Sequence, residues 1–308
     1  MSTAPRLDRA RHHLDTPPAD PIPGQLAAPY YSTNHVTLFL GDAHEHLHTL
    51  KSGSVDCIVT SPPYYGLRDY GQPGQYGQEA TADEYVERLR ATFSEARRVL
   101  ADDGTLWLNL GDSYGPGKQL LGIPWRVAFA LQADGWTLRS QVIWTKPNAM
   151  PESCKDRLSN RHEHVFLLAK GATYYFDLDA IREQYTGDRA ASRRAHTTAT
   201  KANTARGAWG IDKVDAKGRN PGDVWTIATR PNPQAHFATF PIDLPIRCIS
   251  AGCRPNGTVL DPFSGSGTTG AAALRLGRRY TGIDINPAYH DLAIRQHFAQ
   301  GVLPVEWI

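Results

Sequence analysis

Thr258-Val259-Leu260-Asp261-Pro262-Phe263-Ser264-Gly265-Ser266-Gly267-Thr268-Thr269-Gly270 reads as a short apolar strand, a turn rich in Gly and Ser, and the start of a helix. The helical pattern continues to Leu276. A second strand, Arg279 to Ile283, ends at Asp284, 19 residues after Gly265. Strand, turn, helix and strand make one βαβ unit, the building block of a parallel sheet. Gly265, Gly267 and Gly270 match G-x-G-x-x-G, and Asp284 stands where an acidic residue takes ribose hydroxyls. The residues before the glycines separate two cofactor classes. In a dinucleotide site the glycines follow the strand almost directly, so that a pyrophosphate sits on the helix N-terminus. Here Asp261-Pro262-Phe263-Ser264 intervenes. A carboxylate at the strand end would repel a pyrophosphate and attract an ammonium group. S-adenosylmethionine, with an amino-acid end, an adenosine end and no phosphate, fits that turn better. A nucleotide-dependent oxidoreductase stays open as the competing reading, resting on the glycines and Asp284.

Upstream, strand-like runs at 35–40, 55–60, 105–110, 141–145 and 164–169 alternate with helical patterns at 82–100 and 124–133. Tyr85, Leu89, Phe93, Ala96 and Leu100 fall near one helical face. A last helix is expected over 288–299. The alternation predicts an α/β fold around a mostly parallel sheet. Residues 1–33 carry six prolines and no period, and are expected to form a flexible Pro-rich N-terminal arm. Between 183 and 234 the pattern stops. Residues 186–220 hold eight basic residues against three acidic ones, which fits either a solvated loop or a segment that meets phosphates.

Ser61-Pro62-Pro63-Tyr64 closes the apolar strand 55–60. In open α/β sheets ligands bind at the carboxyl ends of strands. Two successive prolines fix two φ angles and remove two N–H donors. A hydroxyl, a carbonyl without its usual local partner and an aromatic ring then stand together. Such a group accepts hydrogen bonds from an exocyclic amino group and stacks on the ring that carries it.

Taken together these motifs resemble the DNA amino-methyltransferases that modify cytosine N4 or adenine N6, in the permuted β arrangement, where the catalytic motif precedes the cofactor loop. The resemblance covers about residues 34–297. Ser61 to Tyr64 match the catalytic motif, Asp261 to Gly270 the cofactor loop, and His236 to Pro241 the segment before it. Trp144 to Asn148 and His162-Glu163-His164 match intermediate motifs. The resemblance implies a Rossmann-like S-adenosylmethionine-dependent methyltransferase fold, circularly permuted, with a seven-stranded, mostly parallel sheet carrying one antiparallel strand. It implies a catalytic half over 34–182, a target-recognition insertion over 183–234 and a cofactor-binding half over 235–308. The implied catalytic residues are Ser61, Pro62, Pro63 and Tyr64. The implied cofactor residues are Asp42 (reading the adenine amino group), His236, Phe237, Thr239, Asp261, Pro262, Phe263, Ser264, Gly265, Ser266, Gly267, Thr268, Asp284 and Asn286. Lys146, Arg193, Arg194, Arg206 and Trp209 are expected to meet double-stranded DNA. Serine in the first place of the catalytic motif leans towards cytosine N4, with adenine N6 as the alternative.

The composition supports an enzyme of this size. Hydrophobic residues make up 41% of the 308 before 27 glycines are added, a globular and not a disordered composition. Lys+Arg at 33 against Asp+Glu at 31 leaves a net charge of +2, so contact with DNA must rest on where the charge sits. The longest apolar runs have five residues, against roughly 18 for a membrane span. No secretory signal is visible, and four cysteines make no disulfide framework; a cytoplasmic monomer or homodimer is expected. His44 and His48 share a helical face but lack further ligands, so no metal is expected. Cys248 and Cys253 read as small core residues. Tyr174-Tyr175-Phe176 read as core packing before base stacking.

Overall fold

The computed structural model describes residues 28–184, 218–230 and 240–299. Its strands are β1 (Tyr31–Ser32), β2 (Val36–Leu40), β3 (Val55–Thr60), β4 (Leu100–Leu110), β5 (Thr137–Thr145), β6 (His162–Ala169), β7 (Val224–Thr226), β8 (Thr258–Asp261) and β9 (Arg279–Asp284). They form one sheet in the order β1-β2-β9-β8-β3-β4-β6-β5-β7. From β2 to β4 every pairing is parallel. Strand β6 runs antiparallel to both of its neighbours, β4 and β5. These seven strands are the expected sheet with its one antiparallel member.

Two corrections concern the edges. Tyr31 and Ser32, expected within the arm, pair antiparallel with Leu38 and Thr37. Tyr30 and Tyr31 are further tied down through their hydroxyls to Asp291 (2.7 Å) and the Phe298 carbonyl (3.2 Å). The patternless stretch 183–234 contributes β7, parallel to β5, with Trp225 buried. The sheet among the described residues thus has nine strands. A pairing of two or three residues is too short for any period to register.

Helices α1 (Ala43–Thr49), α2 (Ala82–Val99) and α3 (Ile123–Ala133) cover one face, and α4 (Asp243–Gly252), α5 (Thr268–Arg275) and α6 (Pro287–Ala293) the other. With both faces covered, β3 and β4 are buried on both sides and read as near-continuous apolar runs. Alternation still sorts them: Leu106, Leu108 and Leu110 pack under α2 and α3, whereas Trp107 packs under α4 with Cys248 and Ile249. Cys248 and Cys253 are fully buried, as expected. Tyr174 is only half-buried and Phe176 is exposed, so that triplet lies at the margin of the core. Within the helix expected over 288–299, α6 ends at Ala293 and a single π turn follows over Ile294–Phe298. The turn brings Phe298 against α5, where a Cβ on Gly270 would lie 2.7 Å from its ring. Among the described residues no helix is long and apolar enough to cross a membrane.

The parallel pairings bring the carboxyl ends of β2, β9, β8, β3 and β4 to one edge of the sheet. Because β6 runs the other way, its amino-terminal residues His162 and Glu163 reach that same edge, where Leu110 pairs with His164 and Trp144 with Glu163.

Candidate active site

Asp261 ends β8 and is 2% exposed. Its Oδ1 accepts from Thr60 Oγ1 (2.6 Å) and the Phe263 amide (3.0 Å), and its Oδ2 from Thr269 Oγ1 (2.7 Å). Burial pushes its carboxyl up to about 6, with the three donors pulling the other way. The expectation of a free carboxylate offered to an ammonium group is therefore corrected. Asp261 joins the end of β3, the turn and the first turn of α5, and borders only a small hollow with Ser61, Phe240, Ser264 and Thr268. Ser264 is likewise spent inside the fold, its Oγ 2.8 Å from the Tyr280 hydroxyl.

The turn itself needs glycine, since Gly265 and Gly267 stand at φ of 50° and 79°, a region that side-chain-bearing residues avoid. That geometry points the Gly265 amide at Asp284 Oδ2 (2.7 Å), while the Asn286 amide donates to Oδ1 (2.8 Å). Each carboxylate oxygen keeps a further lone pair for a ligand. Burial pushes the Asp284 carboxyl up to about 6.

These residues open onto a cleft of about 760 Å³, which Asp42, Ser61, Pro63, Pro262, Phe263, Gly265, Ser266, Asp284 and Asn286 line together. Tyr70, Gln75, Tyr76, Ile285 and Tyr289 also line it and were not anticipated. Three of them come from the loop between β3 and α2, which carries no cofactor motif. Among the described residues no lysine or arginine lines the cleft. Asp42 caps α1, its Oδ1 accepting from the amides of His44 (2.8 Å) and Glu45 (3.2 Å), and its Oδ2 meets Arg88 at 3.4 Å. Its carboxylate therefore already has internal partners, contrary to a role given over to adenine.

A second cavity, of about 910 Å³, shares Ser61 and Tyr70 with the cleft and is bordered by Pro62, Tyr64, Asn109, Trp144, Lys146 and Glu163. Ser61 thus stands where the two spaces meet. Its Oγ donates to the Tyr64 hydroxyl at 3.1 Å, and that hydroxyl donates to Glu163 Oε2 at 2.6 Å. Asn109 Nδ2 donates to the Tyr64 hydroxyl (2.8 Å) and Glu163 Oε2 (2.7 Å), and more weakly to Ser61 Oγ (3.4 Å). Burial and the Glu163 charge raise the Tyr64 pKa well above its usual value. The Tyr64 ring lies against Gly111, where a Cβ would come within 2.6 Å of it.

Lys146, expected on a DNA phosphate, instead turns into this cavity. It pairs with Glu163 and lies 4.8 Å from the Trp144 ring centroid. Asn109 and Glu163 were missed as site residues. Asn109 carries no motif, and Glu163 was visible only inside the matched His162-Glu163-His164. His236, Phe237, Thr239, Arg193, Arg194, Arg206 and Trp209 lie outside the described residues. Of the eight basic residues in 186–220 only Arg219 is described, and it is paired with Glu183 at 2.9 Å. Nε2 of His44 and Nε2 of His48 are 3.2 Å apart; among the described residues no group of three or more His, Cys, Asp or Glu side chains could hold a metal.

This geometry agrees with comparisons to known proteins. The N6/N4 methyltransferase family profile, described as DNA methylase, matches residues 55–295. The Type II methyltransferase M.Cfr9I of Citrobacter freundii is 44% identical over 291 residues, covering 85% of this chain and 88% of the relative. M.SmaI of Serratia marcescens, of the same description, is 43% identical over 284 residues, with 83% and 88% covered. The solved PvuII DNA methyltransferase (cytosine-N4-specific) shares the fold, with a TM-score of 0.67 over 90% of this chain and 91% of that one at 22% identity. A DNA modification methylase of Thermus thermophilus, solved with S-adenosyl-L-methionine, gives a TM-score of 0.59 at 25% identity, with 87% and 96% covered. A chain that matches the profile over most of its length, and such relatives over nearly all of theirs, belongs to the N6/N4 DNA methyltransferases.

Proposed function

We propose that this protein moves a methyl group from S-adenosylmethionine to the exocyclic N4 of a cytosine turned out of double-stranded DNA. The observation that carries the reading is the place of Ser61, which borders both the cleft and the second cavity. A cofactor in the first space and a base in the second would meet at its hydroxyl. The cleft suits a phosphate-free cofactor, since carboxylates and no cations line it among the described residues. Asp284 would accept the ribose hydroxyls, and the backbone of Pro262 to Ser266 would follow the amino-acid end. When bound, S-adenosylmethionine supplies a methyl group on a positively charged sulfur.

The chain's own residues have three tasks. The target nitrogen is hidden in a duplex, so the base must be turned out at a cost of about a few kcal/mol. Tyr64 and the cavity around it receive the ring. The Ser61 hydroxyl and the Pro62 carbonyl accept the two amino hydrogens, which draws the nitrogen lone pair out of ring conjugation and aims it into the cleft. Much of the catalysis is then alignment. Cytosine is favoured by serine in the first motif position and by the PvuII enzyme's named specificity; adenine N6, the other target of the family, presents the same two hydrogens. Arg193, Arg194, Arg206 and Trp209 are assigned to the DNA, in the cytoplasm.

The test is incubation of duplexes of varied sequence with methyl-labelled cofactor, followed by nucleoside mass spectrometry. N4-methylcytosine is expected. Label found only in N6-methyladenine would overturn the base assignment, and unlabelled DNA the whole reading. Ser61→Ala should still bind cofactor and DNA but lose on the order of 10- to 1000-fold in kcat, as for other preorganised contacts to a transition state.

A further inference from the structure

Ser61 is the start of a directed run of hydrogen bonds: Ser61 Oγ donates to the Tyr64 hydroxyl at 3.1 Å, and the Tyr64 hydroxyl donates to Glu163 Oε2 at 2.6 Å. We propose that Glu163 is the final acceptor of the proton released by methylation, reached from the substrate nitrogen through the hydroxyls of Ser61 and Tyr64. The inference rests on the methyl-transfer reading above.

The need follows from atom balance. The amino nitrogen forms a bond to the methyl carbon as the carbon–sulfur bond breaks, and that bond's electrons stay on sulfur. The nitrogen is left with one bond too many and a positive charge. It becomes the neutral methylamino product by losing a proton. In the run seen here Ser61 Oγ takes that proton as it passes its own to the Tyr64 oxygen, and Tyr64 passes its own to Glu163. The carboxylate becomes a carboxylic acid and no other group of the run changes its charge.

Four features suit this role. Among the described residues Glu163 is the only carboxylate bordering the second cavity. Tyr64 holds its proton firmly, because burial and the neighbouring carboxylate raise its pKa; it transmits a proton without standing as an anion. Asn109, 3% exposed, donates to every member of the run and fixes their spacing. The Lys146 ammonium pairs with Glu163 and favours its charged form between turnovers. The Glu163 and Lys146 side chains are 14% and 21% exposed, enough for the proton to pass on to water at the cavity mouth. Glu163 is thus a positioning residue with a proton to hold, acting on the substrate only through Tyr64 and Ser61.

The experiment is single-turnover transfer of labelled methyl by the full chain to a duplex carrying the mapped site, across pH. Wild type must label the DNA; if it does not, the methyl-transfer reading fails and not the relay alone. Tyr64→Phe keeps the ring and removes the link. Glu163→Gln keeps the shape and removes the acceptor. Each should slow transfer on the order of 100-fold or more, with the cofactor Kd unchanged as the check on folding. The double variant should be no slower than the slower single one, because both break one path. Glu163→Gln should lose the acid limb of the rate–pH profile, and Glu163→Asp should restore it. Tyr64→Phe transferring at the wild-type rate, or an acid limb surviving in Glu163→Gln, would overturn the relay. Should Glu163→Gln fail to fold, the Tyr64→Phe rate alone decides.

Discussion

Asp284 shows how one buried carboxylate ties binding to pH. Burial pushes its pKa up to about 6, although the amides of Gly265 and Asn286 donate to it. A raised carboxyl pKa means that the folded protein holds the proton more tightly than the unfolded chain. The stability this contributes is complete below the ordinary carboxylate range and is lost as pH rises through about 6. Cofactor binding runs the opposite way, because ribose hydroxyls need the ionised acceptor. Calorimetric Kd values should therefore weaken by roughly tenfold per pH unit below that value and level off above it. Asp284→Ala should weaken binding by roughly 10- to 100-fold at neutral pH, the worth of a charged hydrogen bond, and flatten the pH dependence. Unchanged binding in the folded variant would remove Asp284 from the ribose site.

At the scale of elements, the loop between β3 and α2 decides how the cleft is closed. It supplies Tyr70, Gln75 and Tyr76, and Arg88 of α2 holds it. The guanidinium lies 3.7 Å from the Tyr76 ring centroid, donates to the carbonyls of Gly74 (2.6 Å) and Gln75 (3.0 Å), and pairs with Glu79 at 3.1 Å. Arg88→Ala should leave the sheet intact, weaken cofactor binding by about tenfold or more and speed proteolysis within the loop. Unaltered proteolysis would show that the loop holds itself. The edge strand β1 makes a second element-scale claim. A chain starting at residue 28 keeps the Tyr30–Asp291 bond and the β1 ladder, whereas one starting at residue 33 loses both. Thermal melting should place the shorter chain lower, with cofactor affinity nearly equal in the two. Equal melting points would return Tyr31 and Ser32 to the arm.

For the whole molecule, the question is how a chain of net charge +2 holds a polyanion. Among the described residues the cleft is lined without cations, and Lys146 and Arg219 are each paired with a carboxylate. The remaining basic residues of 186–220 then carry the phosphate contacts. Neutralising Arg193, Arg194 and Arg206 together should weaken DNA binding and lower the slope of log K against log salt by about 2 to 3, close to one per phosphate contact, while cofactor binding survives. An unaltered slope would leave that segment a solvated loop.

What could be read along the chain were features that act over a few neighbouring residues. The turn Asp261–Gly270 needs glycines where φ is positive, the Pro62-Pro63 pair frees a carbonyl, and buried parallel strands need continuous apolar runs; each leaves its mark locally. Those marks led to the α/β fold, the two motifs and the cofactor class. The partners of those motifs leave no such mark. Glu163 joins Ser61 only because β6 runs antiparallel and delivers its first residues to the edge where the parallel strands end. Asn109 differs from the apolar residues around it only by facing that edge, and Tyr289 reaches the cleft only from the far side of the sheet order. The same distinction reassigned Asp261 and Lys146. Residue type shows that a side chain is charged, but whether the charge faces a ligand or is consumed within the protein depends on which strand ends the fold places beside it.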